Sequence, residues 1–338
     1  MEKAYIIAEI GNTHEGSLGL AKRFIKVAAE CGVDCVKFQT HIFEAESLST
    51  APNPPYFKDE TRKEYFERTA FNIKEYKELM RFTQEECGCD FISSPFSLEA
   101  VDLLEEVGIS AYKIPSGEVT NLPLLEKVAK TGKKVILSSG MSSWEELDEA
   151  VSTLKESGCS DLIVLQCTSE YPCPPEKSGL NVIQELKERY KVPVGFSDHT
   201  LGLAVPLAAY IKGATLIEKH FTLSTDMYGS DAKNSTEPEE FSQLVRGLRD
   251  IEIALSNTID KDKNAEELSN MKHVFEKSVV SIVEIPKGAV LTEIMLSVKK
   301  PGGGIPAKFM KSMIGKKANV DIATDRAIQP SELADFSL

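Results

Sequence analysis

Gly195-Phe-Ser-Asp-His-Thr-Leu201 and, further on, Ala214-Thr-Leu-Ile-Glu-Lys-His-Phe-Thr222 are the two stretches on which the fold turns. Each is a short apolar run ending in a histidine with a carboxylate nearby: Asp198 beside His199, Glu218 two positions before His220. Between them Gly202-Leu-Ala-Val-Pro-Leu-Ala-Ala-Tyr-Ile-Lys212 reads as a helix joining two parallel strands. His199 and His220 then stand at the carboxyl ends of neighbouring strands, roughly 5 Å apart. Two imidazoles at one level, with positions open to oxygen ligands, suit a divalent metal. The alternative is a pair of hydrogen-bonded structural histidines. Matching strand ends, in a chain with five histidines in all, favour the metal.

The same alternation runs outward through the chain. Strand-like Ala4–Glu9, Val33–Phe38, Asp90–Ser93, Ala111–Ile114, Lys134–Leu137 and Leu162–Leu165 are each followed by a segment of helical period, among them Leu18–Cys31, Phe71–Cys87 and Trp144–Glu156. With the two histidine strands this makes about eight strand–helix units, the number that closes a parallel (β/α)8 TIM barrel. A doubly wound open sheet would carry a Gly-rich first turn, which this chain lacks. Chemistry in such barrels sits at the carboxyl ends of strands. The polar residues gather there: Glu9 and Glu15, Lys37 with Gln39, Ser93 and Ser94, Lys113 with Ser116 and Glu118, Ser138 and Ser139, Thr168, Ser169 and Tyr171, Ser197 to His199, and Glu218 to His220. A long segment, Thr40–Tyr65, lies at the same end, where a substrate-covering loop belongs. The barrel is expected over 1–257, a charged and poorly periodic linker over 258–277, and a small β-rich unit over 278–338. Within the last, Lys287–Leu296 and Asp325–Leu333 echo each other.

Composition narrows the classes. A 42% hydrophobic, 27% charged chain of 338 residues is ordinary for a globular protein with a large core. A net charge of -13 argues against a nucleic-acid or anionic-membrane surface, so an anionic ligand needs a local positive pocket. The seven cysteines lack metal-knuckle or redox spacing and read as buried free thiols of a reducing, cytoplasmic setting. No apolar run is long enough to span a bilayer, and no signal peptide is visible.

Lys37 and Lys113 are embedded among apolar neighbours in Val-Lys-Phe-Gln and Tyr-Lys-Ile-Pro-Ser-Gly-Glu. A solvated lysine would not need such a setting, so both read as ligands of a phosphate or carboxylate, with Ser116, Gly117 and adjacent backbone N–H groups wrapping a phosphate. Glu15 is read as a sugar or proton contact, or as a cap on the helix that follows Ser17. Glu118 and Glu218 either orient the lysines and histidines or move protons. Tyr171 serves packing as readily as contact.

Taken together these residues resemble the sialic acid synthase family, which condenses phosphoenolpyruvate with an N-acylated aldose. The resemblance runs through Ala8-Glu-Ile-Gly-Asn-Thr-His-Glu-Gly16, Val36-Lys-Phe-Gln-Thr40, Tyr112-Lys-Ile-Pro-Ser-Gly-Glu118, Ser138-Ser-Gly-Met141, Cys167-Thr-Ser-Glu-Tyr-Pro172 and the two histidine stretches. It implies a (β/α)8 barrel followed by an antifreeze-like (SAF) domain, in a homodimer whose small domains are swapped. It places Mn2+ or Mg2+ on His199 and His220, phosphoenolpyruvate on Lys37, Lys113, Ser94, Ser116, Ser169 and Ser197, and the sugar on Glu15, Gln39, Tyr171 and Asp231. The chain departs from the family pattern at Thr13 and Ser169, where asparagine occurs in other members. It departs again at Lys299-Lys-Pro-Gly-Gly-Gly304, where Lys300 takes the place of an arginine and offers a point charge without a bidentate fork. The products in view are sialic, pseudaminic or legionaminic acids. A non-catalytic carbohydrate-binding protein and a metal-dependent aldolase using pyruvate are the rival classes.

Overall fold

The computed structural model describes residues 3–53, 60–229 and 231–338. The chain divides into two compact units, Met1–Ser256 and Asn257–Leu338. In the first, β1 (Tyr5–Gly11), β2 (Cys35–Thr40), β3 (Asp90–Pro95), β4 (Ala111–Ile114), β5 (Lys134–Ser138), β6 (Leu162–Cys167), β7 (Val194–Asp198) and β8 (Leu216–His220) form a closed barrel in chain order. Every pairing is parallel, and β8 closes on β1. The expected (β/α)8 TIM barrel is therefore the fold.

Strand period two explains how the interior is filled. One residue from most strands builds an apolar layer inside the barrel: Ile7, Cys35, Ile92, Ala111, Ile136, Leu165 and Leu216. Two positions on, the same face carries Glu9, Lys37, Ser94, Lys113, Ser138, Cys167 and Glu218, all buried. The strands thus deliver a ring of polar groups onto a greasy floor, at the end where the chain leaves each strand. The alternate residues face outward onto the helices in a second, larger core that includes Ile6, Ala8, Phe38, Phe91, Tyr112, Leu137, Phe196 and Ile217.

Local sequence sets the helix ends. Ser17 caps Leu18–Glu30 by accepting from the Leu20 N–H, and Ser143 with Glu146 forms a capping box on Trp144–Glu156. The helix expected over Phe71–Cys87 starts later, at Ile73, because Asn72 and Glu75 make a capping box there. Its last turn widens into a π turn over Phe82–Glu86, where the Thr83 hydroxyl donates to the Leu79 carbonyl. The long Thr40–Tyr65 segment carries a short helix, Phe43–Glu46, and the start of another, Arg62–Thr69; its residues 54–59 lie outside those described.

The stretch read as a charged, poorly periodic linker holds two helices, Lys261–Glu267 and Ser269–Phe275. Neither buries a residue: the first has Ala265 as its one apolar residue, and the Met271, Val274 and Phe275 of the second stand at helical spacing but are exposed. The second unit continues with a three-stranded antiparallel sheet in which β9 (Ser278–Ser281) lies between β10 (Leu296–Lys299) and β11 (Arg326–Ala327). Its core is Val279, Ile285, Leu291, Leu296, Ile305, Met313, Ala318, Ile322, Ile328 and Leu333. The two echoing stretches each place a 3-10 turn, Glu293–Met295 and Pro330–Glu332, before a buried leucine. Among the described residues no helix is long and apolar enough to cross a membrane.

Candidate active site

His220 is the last residue of β8, and His199 follows the end of β7. Register pairs Asp198 with Lys219, which sets the two histidines side by side, their ring centroids 5.4 Å apart. The Tyr171 ring lies 4.1 Å from that of His199 and meets His220 edge-on at 5.8 Å. His199 Nδ1 is 2.8 Å from the Thr168 carbonyl. A carbonyl only accepts, so the proton is on Nδ1 and the Nε2 lone pair is left for a ligand, as in metal-binding histidines. Among the described residues no three His, Cys, Asp or Glu side chains converge to enclose a cation. His199 and His220 are the residues that would hold a metal here, as two imidazoles with its other positions open to oxygen ligands.

Asp198 does not serve His199. It faces the other side of the strand, buried, and is an ion-pair partner of Lys219 and an acceptor for the Thr200 N–H and hydroxyl. Period two separates them: Glu218 and His220 point inward, Lys219 outward.

One layer below, Glu218 lies between two lysines. Its Oε1 is 3.4 Å from Lys113 Nζ and 3.8 Å from Lys37 Nζ, and accepts from Ser197 Oγ at 3.1 Å; Oε2 is buried without a partner. Burial alone would raise this carboxyl, but Lys113 and then Lys37 hold it below the usual carboxylate range. Lys37 also pairs with Glu9 at 2.7 Å and donates to Ser94 Oγ at 3.4 Å. Burial pushes both lysines down; Glu218 and Glu9 more than offset this for Lys37, whereas for Lys113 burial wins.

Beside Lys113, the hydroxyls of Ser116 and Ser169 converge on Gly140, where an added Cβ would sit 2.3 Å from one and 2.2 Å from the other. Ser116 Oγ donates to Cys167 Sγ at 3.7 Å, and Ser138 Oγ is buried with no partner. Lys37, Ser94, Lys113, Ser197 and Glu218 thus stand on the inner face of their strands, and Ser116 and Ser169 just past the ends of β4 and β6.

The residues expected to address a sugar spread along the rim. Gln39 donates to Glu9 Oε1 at 2.7 Å. Asp231 comes close to Gly11, where a Cβ would sit 2.8 Å from its Oδ2, and its charge acts on His220. Glu15, at φ +55°, accepts from Arg68 Nη1 at 2.7 Å through Oε2, while its Oε1 is buried with no hydrogen-bond partner among the described residues. Burial raises the Glu15 carboxyl against the pull of Arg68. Glu118 stands apart from the lysines: Asn121 donates to it at 2.8 Å, burial raises it, and the charges acting on it are Glu46 and His41. Lys300 belongs to the second unit, its Nζ 4.8 Å from the centroid of the Phe275 ring.

Sequence reasoning missed two groups. Arg68 clasps Glu15 and Glu60 together. His41 is stacked between Phe66 at 3.9 Å and Phe96 at 4.0 Å, with Glu46 on Nδ1 and Gln39 on Nε2. Its place two residues past Gln39, just beyond the end of β2, was the available signal.

The NeuB family model matches residues 24–260, and the SAF domain model matches 276–334. The chain belongs to the NeuB family. Within it, the chain is 41% identical over 338 residues to the N,N'-diacetyllegionaminic acid synthase of Campylobacter jejuni subsp. jejuni serotype O:2, covering 97% of this chain and 100% of that one. It is 38% identical to the N-acetylneuraminate-9-phosphate synthase of Homo sapiens, over 98% of this chain and 92% of the other. A solved N-acetylneuraminic acid (sialic acid) synthetase from Leptospira borgpetersenii serovar Hardjo-bovis, in complex with citrate, superposes with a TM-score of 0.69 at 33% identity, over 80% of this chain and 92% of that one. The resemblance read from the motifs is thus a family membership, and the second unit of this NeuB-family chain is a SAF domain.

Proposed function

We propose that the protein condenses phosphoenolpyruvate with an N-acylated aldose of the N-acetylmannosamine type, giving a sialic acid-type nonulosonic acid and inorganic phosphate, with Mn2+ or Mg2+ as cofactor. The observation that carries this reading is the pair of buried ammonium groups, Lys37 and Lys113, around Glu218, one layer from His220 on the same face of β8. Lys37 and Lys113 are balanced in number by Glu9 and Glu218, so a multiply charged anion entering the layer needs further positive charge. A divalent cation held by His199 and His220 would supply that charge and polarise the aldehyde oxygen of the open-chain sugar.

The chain's own residues do the rest. Lys113, with the hydroxyls of Ser116, Ser138 and Ser169, takes the phosphate and carboxylate, and Lys37, held by Glu9 and Ser94, closes the other side. Carbon three of phosphoenolpyruvate attacks the aldehyde carbon, whose oxygen takes up a proton. Water adds to the oxocarbenium at carbon two and loses a proton, and phosphate leaves with C–O cleavage to give the 2-keto acid. Glu218, held ionised by two lysines, orients them; Glu118, raised by burial, is the carboxyl suited to carry a proton. Glu15, Gln39, Tyr171 and Asp231 face the sugar.

A legionaminic or pseudaminic acid product is the second reading, favoured by Lys300 in place of the arginine and by the 41% identical legionaminic acid synthase. Phosphate release across a panel of N-acyl and diacetamido sugars separates these. His220→Ala is expected to abolish metal-dependent phosphate release; a wild-type rate would remove the ligand assignment. The same reading includes a homodimer with exchanged second units, checked by light scattering, working in the cytosol where its free thiols persist.

A further inference from the structure

Glu9 lies between β2 and β8, in register with Lys37 on one side and His220 on the other, and is 1% exposed. Its two oxygens go to different partners: Oε2 is 2.7 Å from Lys37 Nζ, and Oε1 accepts from Gln39 Nε2 at 2.7 Å. Lys37 and Gln39 are two apart on β2 and share a face, so one carboxylate fixes both side chains. The other end of the Gln39 amide is also engaged, with Oε1 3.1 Å from His41 Nε2. Rotating the amide would turn its oxygen onto the Glu9 carboxylate, acceptor against acceptor, so its orientation is set. His41 is immobilised in turn by Phe66 and Phe96 on its faces and by the Glu46 carboxylate on Nδ1, at 2.9 and 3.0 Å. Gln39 is left with one N–H and one lone pair to offer a ligand.

We propose, resting on the reading of Lys37 as a phosphoenolpyruvate ligand and Gln39 as a sugar contact, that Glu9 is a positioning residue tying the two substrate subsites together, and that His41, clamped by Glu46, determines which face of the Gln39 amide meets the aldose. The two residues have unequal reach. Glu9 touches both ligand-bearing side chains, whereas His41 touches Gln39 alone.

That asymmetry is the test. The wild-type protein is assayed for phosphate release with phosphoenolpyruvate and the panel of N-acyl aldoses; turnover of none of them removes the functional reading, and the inference with it. With a working aldose, Glu9→Gln is expected to raise the apparent KM of both substrates about tenfold or more, the worth of one charge-assisted hydrogen bond, with a smaller change in kcat. His41→Asn is expected to raise the KM of the aldose by a similar factor while that of phosphoenolpyruvate stays within about twofold. A Glu9→Gln protein with only one KM changed, or neither, overturns the coupling. Should Glu9→Gln fail to fold, His41→Asn and Glu46→Gln decide: an unchanged aldose KM in both, or a phosphoenolpyruvate KM that rises in step, overturns the inference.

Discussion

The two walls of the barrel mouth use their polar atoms in opposite ways. On the β1–β2 wall, Glu9, Lys37, Gln39, His41 and Glu46 spend theirs on one another. On the β4–β6 wall, Lys113 has Glu218 as its only carboxylate within 4 Å among the described residues, Ser138 Oγ has no partner, and Ser116 Oγ reaches only a thiol. The lysines report the difference. Both lose to burial, but Lys37 is raised by Glu218 and Glu9, whereas Lys113 stays lowered. One wall is held by its own contacts; on the other, fewer polar atoms are engaged among the described residues. Under the proposed reading an arriving phosphate and carboxylate would be taken up on the second wall while the first keeps its geometry.

The largest expected effect comes from removing Lys113, the lysine that shares Glu218 and has no second carboxylate within 4 Å among the described residues. Lys113→Met should cut kcat/KM for phosphoenolpyruvate by about a thousandfold, as expected when a buried cation that meets an anion is lost, while the protein still folds at a cost of about 3–5 kcal/mol, because Glu218 loses the partner that does most to keep it ionised. A fold that collapses with the activity would make Lys113 structural. Next is Gly140→Ala, whose methyl would occupy the space of the Ser116 and Ser169 hydroxyls. It should raise the phosphoenolpyruvate KM by about tenfold or more, with a stability cost of about 1–3 kcal/mol; an unchanged KM would take those serines out of the site. Ser138→Ala deletes a hydroxyl that has no hydrogen-bond partner among the described residues. Urea unfolding should therefore be unaffected or slightly stabilised, while the phosphoenolpyruvate KM rises several-fold, the worth of about one neutral hydrogen bond.

The smallest effect lies outside both walls. His14 is buried against Phe71 and Phe38, and burial, opposed only weakly by a backbone contact, pushes it down to about 3. In the unfolded chain it titrates near 6.5, so between the two values the unfolded state binds the extra proton and stability falls as pH falls. The contribution is complete above about 6.5 and is lost progressively toward 3. His14→Gln should flatten the urea midpoint between pH 7 and 4.5, removing about 2 kcal/mol of acid sensitivity; an unchanged slope would place the sensitivity elsewhere.

What was legible in the chain divides along physical lines. Lys37, Lys113, His199 and His220 announce themselves because each interrupts an apolar strand, and strand period fixes which way each side chain points. The same period, carried one step further, separates Asp198 from His199, which adjacency in sequence had joined. The His41 clamp was not legible, since Phe66 and Phe96 reach it from other segments of the chain. The Arg68–Glu15 bridge depends likewise on how the Arg62–Thr69 helix packs. Gly140 carries its meaning only in three dimensions, as space that two hydroxyls fill. The Lys261–Glu267 helix has Ala265 as its one apolar residue and so left no periodic trace, whereas Met271, Val274 and Phe275 give Ser269–Phe275 a helical spacing that so short a helix makes easy to pass over.

The most direct measurement is the fate of the bridging oxygen. With phosphoenolpyruvate carrying 18O between carbon two and phosphorus, an N-acyl aldose accepted by the enzyme and Mn2+, condensation with C–O cleavage sends the label into the released phosphate, in step with keto acid formed. Label retained in the keto acid, or phosphate released without the aldose, would contradict carbon–carbon bond formation at this barrel mouth.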